Sequence, residues 1–343
     1  MHDAPEQTTS KPAELIARAR SWLLLVSSLA LAIAAPAIAD AESFPNRPVT
    51  VVVPTGPGGG IDNFARIIAP KMEQRLGKPF VIENRPGAGT TIGATVVARS
   101  EPDGHTLLLA TSSTLAINVS IYKSLPYDPA KDFMPVLLYA RVPFVLVVNP
   151  ALPVQSAEDL IKLAKAKPGT LSFGSAGIGT ATHLFVELLK SQTGIQVTHV
   201  PYKSTVQPLN DVVGGHLQFM FSDLPPLLGL IGAGKLRALG VSSRTRVATA
   251  PDIPPLSEAG VPGYEAVAWL MVVVRAGAPP DVVNKLHAEL KSIVALPEVE
   301  QQIKQLGFIP VDSPPPEELQ GYIKSEIVRW GKVVQQAGAT GIE

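Results

Sequence analysis

Val49-Thr50-Val51-Val52-Val53-Pro54-Thr55-Gly56-Pro57-Gly58-Gly59-Gly60-Ile61-Asp62 passes from a β-branched run through glycines into an amphipathic pattern. That is a strand handing over to a helix. Leu171-Ser172-Phe173-Gly174-Ser175-Ala176-Gly177-Ile178-Gly179-Thr180-Ala181-Thr182-His183 repeats the same grammar further along. Glycine lets the backbone turn tightly and leaves its N–H groups uncovered, and the following helix points a positive dipole end into the same space. One such turn can be an anion site or simply a tight strand–helix connection; two, on separate lobes, could hold both ends of one organic anion.

The chain around these turns has 343 residues, 46% of them hydrophobic, no cysteine and a formal net charge of zero. Its length suggests two domains, each with apolar material for a core. Neutrality and the lack of a Lys/Arg run argue against a nucleic-acid partner. The absence of cysteine excludes disulfides, thiolate catalysis and sulfur-ligated metals.

At the N-terminus, Lys11, Arg18 and Arg20 precede an apolar stretch from Trp22 to about Ala35, and Ala37-Ile38-Ala39 supplies small residues for cleavage before Asp40. Residues 1–39 therefore read as a cleaved secretory signal peptide, which places the mature protein in the periplasm. A membrane anchor is the alternative, but the apolar stretch is shorter than the ~20 residues a spanning helix needs.

From residue 45 onward short strands alternate with helices, so the expected fold class is α/β with mainly parallel sheets flanked by helices. Expected strands are Val49–Val53, Phe80–Glu83, Thr106–Ala110, Phe144–Asn149, Leu171–Gly174, Gln196–Val200, Leu217–Phe221, Leu236–Val241 and Val267–Arg275. Expected helices include Asn63–Leu76, Thr91–Ser100, Ala157–Ala166, Ala181–Lys190 and Val206–Val213, followed by Pro280–Ala295, Glu298–Leu306 and Pro316–Ala337. In the first helix, Phe64, Ile67, Ile68, Met72 and Leu76 share one face, as a sheet-covering helix requires. Phe144–Asn149 and Val267–Arg275 bracket a self-contained set of elements and read as crossings between lobes. Residues 40–143 with 266–343 then form one lobe and 144–265 the other, with a ligand cleft between them.

Several further motifs make the chain recognisable. They are Phe44-Pro45-Asn46-Arg47-Pro48, Pro57-Gly58-Gly59 with Asp62, Glu83-Asn84-Arg85-Pro86-Gly87-Ala88-Gly89, and Pro102-Asp103-Gly104-His105-Thr106-Leu107-Leu108. Pro126-Tyr127-Asp128-Pro129, Ser175-Ala176-Gly177 with Gly179-Thr180 and His183-Leu184, His199-Val200-Pro201-Tyr202-Lys203, and Glu258-Ala259-Gly260-Val261-Pro262-Gly263-Tyr264 complete the set. In this combination and order the mature chain resembles the Bug/TctC family, the extracytoplasmic solute receptors of tripartite tricarboxylate transporters. The resemblance implies a two-lobed Venus-flytrap binding protein of type II-like architecture. It implies binding of a small carboxylate through backbone N–H groups and water at the two glycine turns, and delivery to inner-membrane permease subunits. Thr55, Ser204 and Leu270-Met271 depart from the common pattern at positions that line the cleft in that picture.

The candidate ligand-binding residues are Thr55, Gly56, Pro57, Gly58, Gly59, Gly60 and Asp62 at the first turn. Ser175, Ala176, Gly177, Gly179, Thr180 and His183 form the second set, and Thr111, Ser112, Lys203 and Asp223 lie near strand ends. Each has a plainer alternative. Asp62 suits a first-turn position stabilised by the helix dipole. His183 suits a structural hydrogen bond to its loop, and Asp223 suits a cap on the next helix. Lys203 suits a solvated surface charge, Thr111-Ser112-Ser113-Thr114 a surface turn, and Trp269 a core or hinge position.

The candidate ligands are di- or tricarboxylates, acidic amino acids and aromatic acids, with no cofactor and no metal. A sensor role for a two-component system is an alternative to transport. A secreted hydrolase is disfavoured: no histidine pair has metal-ligand spacing, and neither a Walker loop nor a G-x-G-x-x-G fingerprint occurs. Gly174-Ser175-Ala176-Gly177 is not a nucleophile elbow, and no Ser–His–acid set is evident.

Overall fold

A computed structural model describes His2 and residues 44–202 and 204–341. Lys203 and, apart from His2, residues 1–39, read above as a signal peptide, lie outside the described residues. Among these, ten strands form one sheet. They are β1 (Val49–Val53), β2 (Phe80–Asn84), β3 (Thr106–Thr111), β4 (Phe133–Val148), β5 (Ser172–Ser175), β6 (Thr198–Pro201), β7 (Phe219–Asp223), β8 (Arg237–Val241), β9 (Val267–Arg275) and β10 (Ile309–Pro310). The helices are α1 (Gly60–Leu76), α2 (Thr91–Ala98), α3 (Asn118–Ile121), α4 (Ala157–Ala166), α5 (Ala181–Thr193) and α6 (Val206–Val213). After them come α7 (Pro225–Gly232), α8 (Pro280–Val294), α9 (Pro297–Gln305) and α10 (Pro316–Gln336).

The strand order β2-β1-β3-β9-β4-β7-β5-β6 gives the expected α/β class, with the parallel pairs of each half joined through an antiparallel centre. Parallel pairs occur towards the ends, where β1 lies between β2 and β3, and β5 between β6 and β7. The centre is antiparallel, because β9 and β4 run past one another and past β3 and β7. The architecture is α/β with a mixed sheet. Strand β4 joins its halves: Phe133–Pro143 pairs with β9, and Phe144–Val148 pairs with β7.

Only the second part of β4 is expected from sequence. Pro135 and Pro143 lack an N–H to give a ladder, so the first part does not read as a strand. The sheet accommodates them: the β4–β9 register shifts at Pro135/Leu137 and again at Leu138/Ala140, and Pro143 sits where pairing changes partner. Just beyond it, Phe144 N–H donates to Ser242 Oγ at 2.8 Å.

Side-chain alternation along the sheet builds the cores. Val51, Val53, Leu107, Leu109, Val272 and Val274 face α1 and α8, while Leu108, Ala110, Met271 and Val273 face α2 and α10. In β4, Leu146 and Val148 continue the latter core into the second half of the sheet, whereas Val145 and Val147 point into a third cluster with α6 and α7. Helix α10 spans this continuous core, with Trp330 stacked on Phe185 of α5 at 5.6 Å. The stripe on α1 is as expected: Phe64, Ile68 and Met72 are buried, and Phe64 stacks on Tyr139 at 3.8 Å. No helix among the described residues is long and apolar enough to cross a membrane.

Candidate functional site

Strands β1 and β3 end on the same edge, and their following segments wall a cavity of about 500 Å³. From the first glycine turn it receives Gly58, Gly59 and Gly60, with Ile61 and Asn63 of α1. The N–H groups of the first helical turn have no intrahelical acceptor, so those of Gly60 and Ile61 remain for another partner, while Asn63 N–H already bonds to Gly59 O. Phe308 covers this helix start. A methyl group on Gly60 would stand 2.5 Å from the Phe308 ring, so a residue without Cβ lets the aromatic edge reach the backbone.

Thr111, Ser112 and Ser113 form a second wall. The chain leaves β3 through a π-helical turn, Ser113–Ile117, of the kind that concentrates at functional sites. Thr90 adds a hydroxyl from the Gly87–Thr91 turn. It is β-branched yet left-handed, with φ 79°, and its Oγ1 lies 2.7 Å from that of Thr114. A side chain held against its backbone preference beside a cavity marks a constrained position.

Across the cavity stand Asp223 at the end of β7, Pro225 and Pro226 of α7, and Ala181, the first residue of α5. Val142, Phe144, Ala268 and Leu270 supply an apolar floor where β4 and β9 cross. Two helix starts with usable N–H groups, at Gly60 and Ala181, therefore border one space. Among the described residues, no lysine or arginine lines it.

The sequence candidates divide accordingly. Gly58, Gly59, Gly60, Thr111, Ser112 and Asp223 come together around the cavity, and Leu270 of the departing positions joins them. Thr55, Gly56 and Pro57 do not line it, and Asp62 is turned away. The Asp62 carboxylate is buried and takes hydrogen bonds from Gly58 N–H, Arg66 and Asn84. The Arg66 bond leads in holding its pKa down to about 2. Asp62 therefore shapes the turn from behind, and Asn84 ties it to Thr55 O.

The second glycine turn is also outside the lining, Ala181 excepted. Its polar groups are spent internally: Ala176 N–H donates to Thr182 Oγ1, Thr180 Oγ1 donates to Gly177 O, and Gly179 N–H donates to His183 Nδ1. Ser175 is fully buried, and its Oγ lies 2.6 Å from His199 Nε2 while accepting from Gly177 N–H. This serine–histidine pair, absent from the sequence expectations, braces the loop from a buried position.

His199 stacks on His183 at 4.0 Å. Burial, and then the neighbouring His183, lower its pKa to about 4, against an opposing pull from Glu187 and a smaller push from Lys190. A histidine with a depressed native pKa favours the neutral form, so the unfolded chain takes up the proton first. Stability should thus be highest above pH 6.5 and fall as pH drops from there towards 4. In His199→Gln, melting temperature should depend less on pH across that window; an unchanged slope in a thermal-denaturation pH series would contradict this.

Sequence reasoning missed Thr90, Phe144, Ala181 and Phe308, whereas Ser113 belongs to the Thr111–Thr114 run already weighed as cleft lining. Thr90 directly follows the Glu83–Gly89 motif, and Phe308 follows a helix with nothing local to mark it. Trp269 is core: it is fully buried and donates to Glu326.

Comparison with known proteins agrees with this architecture. The family model described as the tripartite tricarboxylate transporter family receptor matches residues 64–339. Protein BugT of Bordetella pertussis is 37% identical over 308 residues, covering 90% of this chain and 94% of BugT. The solved structure of Rpa4515 from R. palustris with adipate superposes with a TM-score of 0.77 at 36% identity, covering 87% of this chain and 100% of that one. MatC (Rpa3494) from Rhodopseudomonas palustris with bound malate gives a TM-score of 0.71 at 33% identity, covering 85% and 100%. The chain belongs to the TctC/Bug family of periplasmic solute receptors.

Proposed function

We propose that this protein is an exported receptor that binds a small carboxylate in the cavity between Gly58–Gly60 and Ala181 and delivers it to the inner-membrane subunits of a tripartite tricarboxylate transporter. The observation that carries this reading is the pair of helix starts facing one cavity. Backbone N–H groups and dipole ends favour a carboxylate there without a basic side chain. Relatives with adipate and malate support the ligand class. On this reading residues 40–143 with 266–343 and residues 144–265 act as two lobes. Gly58, Gly59, Gly60, Thr90, Thr111 and Ser112 meet the ligand, and the hydrogen-bonded turn Ser175–Thr180 positions Ala181. The role is binding without catalysis, in keeping with the buried Ser175 hydroxyl.

Thermal-shift screening of the mature protein against C4 to C6 dicarboxylates, tricarboxylates, acidic amino acids and aromatic acids tests this. A ligand at 100-fold its Kd should stabilise by about 2.7 kcal/mol, and chromatography should recover it unchanged. Stabilisation by none of them, or conversion of one, would defeat the proposal.

A further inference from the structure

We propose that Asp223 selects the ligand: the cavity takes a carboxylic acid that also carries a hydroxyl or ammonium group, and Asp223 accepts that group's hydrogen bond. This rests on the cavity being the ligand site, as proposed above, and specifies what the ligand must carry besides its carboxylate.

Asp223 ends β7 opposite Phe144 and lines the cavity. A carboxylate at such a strand end ordinarily caps the next helix, as the sequence suggested. Here it does not. Helix α7 begins at Pro225-Pro226 with Leu224 as its first flanking residue and no side-chain cap. Both prolines lack the N–H that a capping carboxylate would accept. Among the described residues, the side chain that meets Asp223 is Ser222, whose Oγ donates to Oδ1 at 3.2 Å. A carboxylate offers about four acceptor sites, so Ser222 Oγ and the residue's own backbone N–H leave capacity for a donor from the cavity that Asp223 lines.

The cavity is therefore bipolar. Donors gather at Gly59–Ile61, an acid stands at Asp223, and no lysine or arginine among the described lining residues neutralises it. Burial raises the Asp223 pKa above the usual carboxylate value, as expected for an acid lacking a counter-charge. A ligand with carboxylates alone would leave Asp223 unpaired and facing like charge. A ligand with a donor satisfies both ends at once. Specificity of this kind arises because a buried acceptor left without its donor costs far more than a missing apolar contact.

The test is calorimetric titration of the mature protein with matched series: succinate, malate and aspartate; hexanoate, 6-hydroxyhexanoate and 6-aminohexanoate; benzoate and its hydroxy derivatives. In at least one series the donor-bearing member should bind about tenfold or more tightly than its parent. In Asp223→Asn that ratio should collapse to roughly threefold or less, with parent affinity unchanged or improved because a like charge is gone. A larger loss for the amine than for the alcohol identifies an ammonium ligand, and equal losses identify a hydroxyl. Parents binding as tightly as derivatives in the wild type would overturn the proposal, as would a preference that survives in Asp223→Asn. Binding without donor preference defeats only this inference; no binding across all series defeats the receptor reading as well. Asp223→Asn should also melt higher than the wild type at neutral pH when unliganded, which verifies that the variant folds.

Discussion

Gly59→Val should fold as the wild type does and bind no carboxylate. Gly59 precedes α1 with φ −77° and ψ 168°, an extended conformation open to any residue. A Cβ there would meet nothing closer than Gly56 O at 3.8 Å, so the backbone has no reason to move. The added isopropyl group would instead occupy the cavity edge beside the N–H groups of Gly60 and Ile61. Hydrogen bonds from N–H to a charged acceptor contribute about 1.5–3 kcal/mol each. Obstructing two of them should weaken binding on the order of a hundredfold or more.

Gly179→Val is the informative contrast. Gly179 has φ +78°, and its added Cβ would fall 2.1 Å from Ile121 Cδ1. Left-handed backbone costs a residue with Cβ about 1–2 kcal/mol, and valine more. Displacing the buried Ile121 adds to that. Sequence alone suggests that both valine variants bind poorly and fold normally; the structure separates them. Thermal melts should leave Gly59→Val near the wild-type midpoint and lower that of Gly179→Val by several degrees. Titration should find binding abolished in the first. Wild-type affinity in Gly59→Val would remove the first turn from the site.

What was legible in the chain follows from range. Val49–Val53 is buried on both faces, and its unbroken β-branched run announces that. The capping box Ser156–Asp159 and the amphipathic run behind it place α4 without tertiary information. Strand β4 was half hidden because Pro135 and Pro143 are tolerated only through register shifts supplied by β9, a partner far away in sequence. The site divides the same way. Glycines before α1 carry their meaning locally. The lid over them, Phe308, and the floor, Ala268 and Leu270, arrive from the C-terminal third through sheet order, which no local pattern encodes. The hydroxyls and N–H groups of the second turn look available in sequence, whereas in three dimensions they satisfy one another.

One signal was present and is explained only by the fold. Along α10 the buried stripe reads Leu319, Ile323, Glu326, Trp330 and Val333, placing an acid at an apolar position. Glu326 is only 6% exposed. Its Oε2 accepts from Trp269 Nε1 at 2.8 Å and Trp330 Nε1 at 3.0 Å, and Arg329 reaches its Oε1 at 3.2 Å. The acid thus joins β9, which helps floor the cavity, to the helix that spans both halves of the sheet. Glu326→Ala should destabilise the protein by about 3–5 kcal/mol, because two indole N–H groups would remain buried without an acceptor and Arg329 would keep only its bond to Glu265 O. Glu326→Gln keeps one oxygen acceptor and should lose less, so the order wild type, Gln, Ala is expected in denaturant unfolding at constant m-value. Ligand affinity of the Gln variant should be unchanged, since Glu326 lies in the core and not on the cavity wall. Equal stability of the Ala variant and the wild type would mean that the indoles find other acceptors. The carboxylate would then not be what fixes α10 to the sheet.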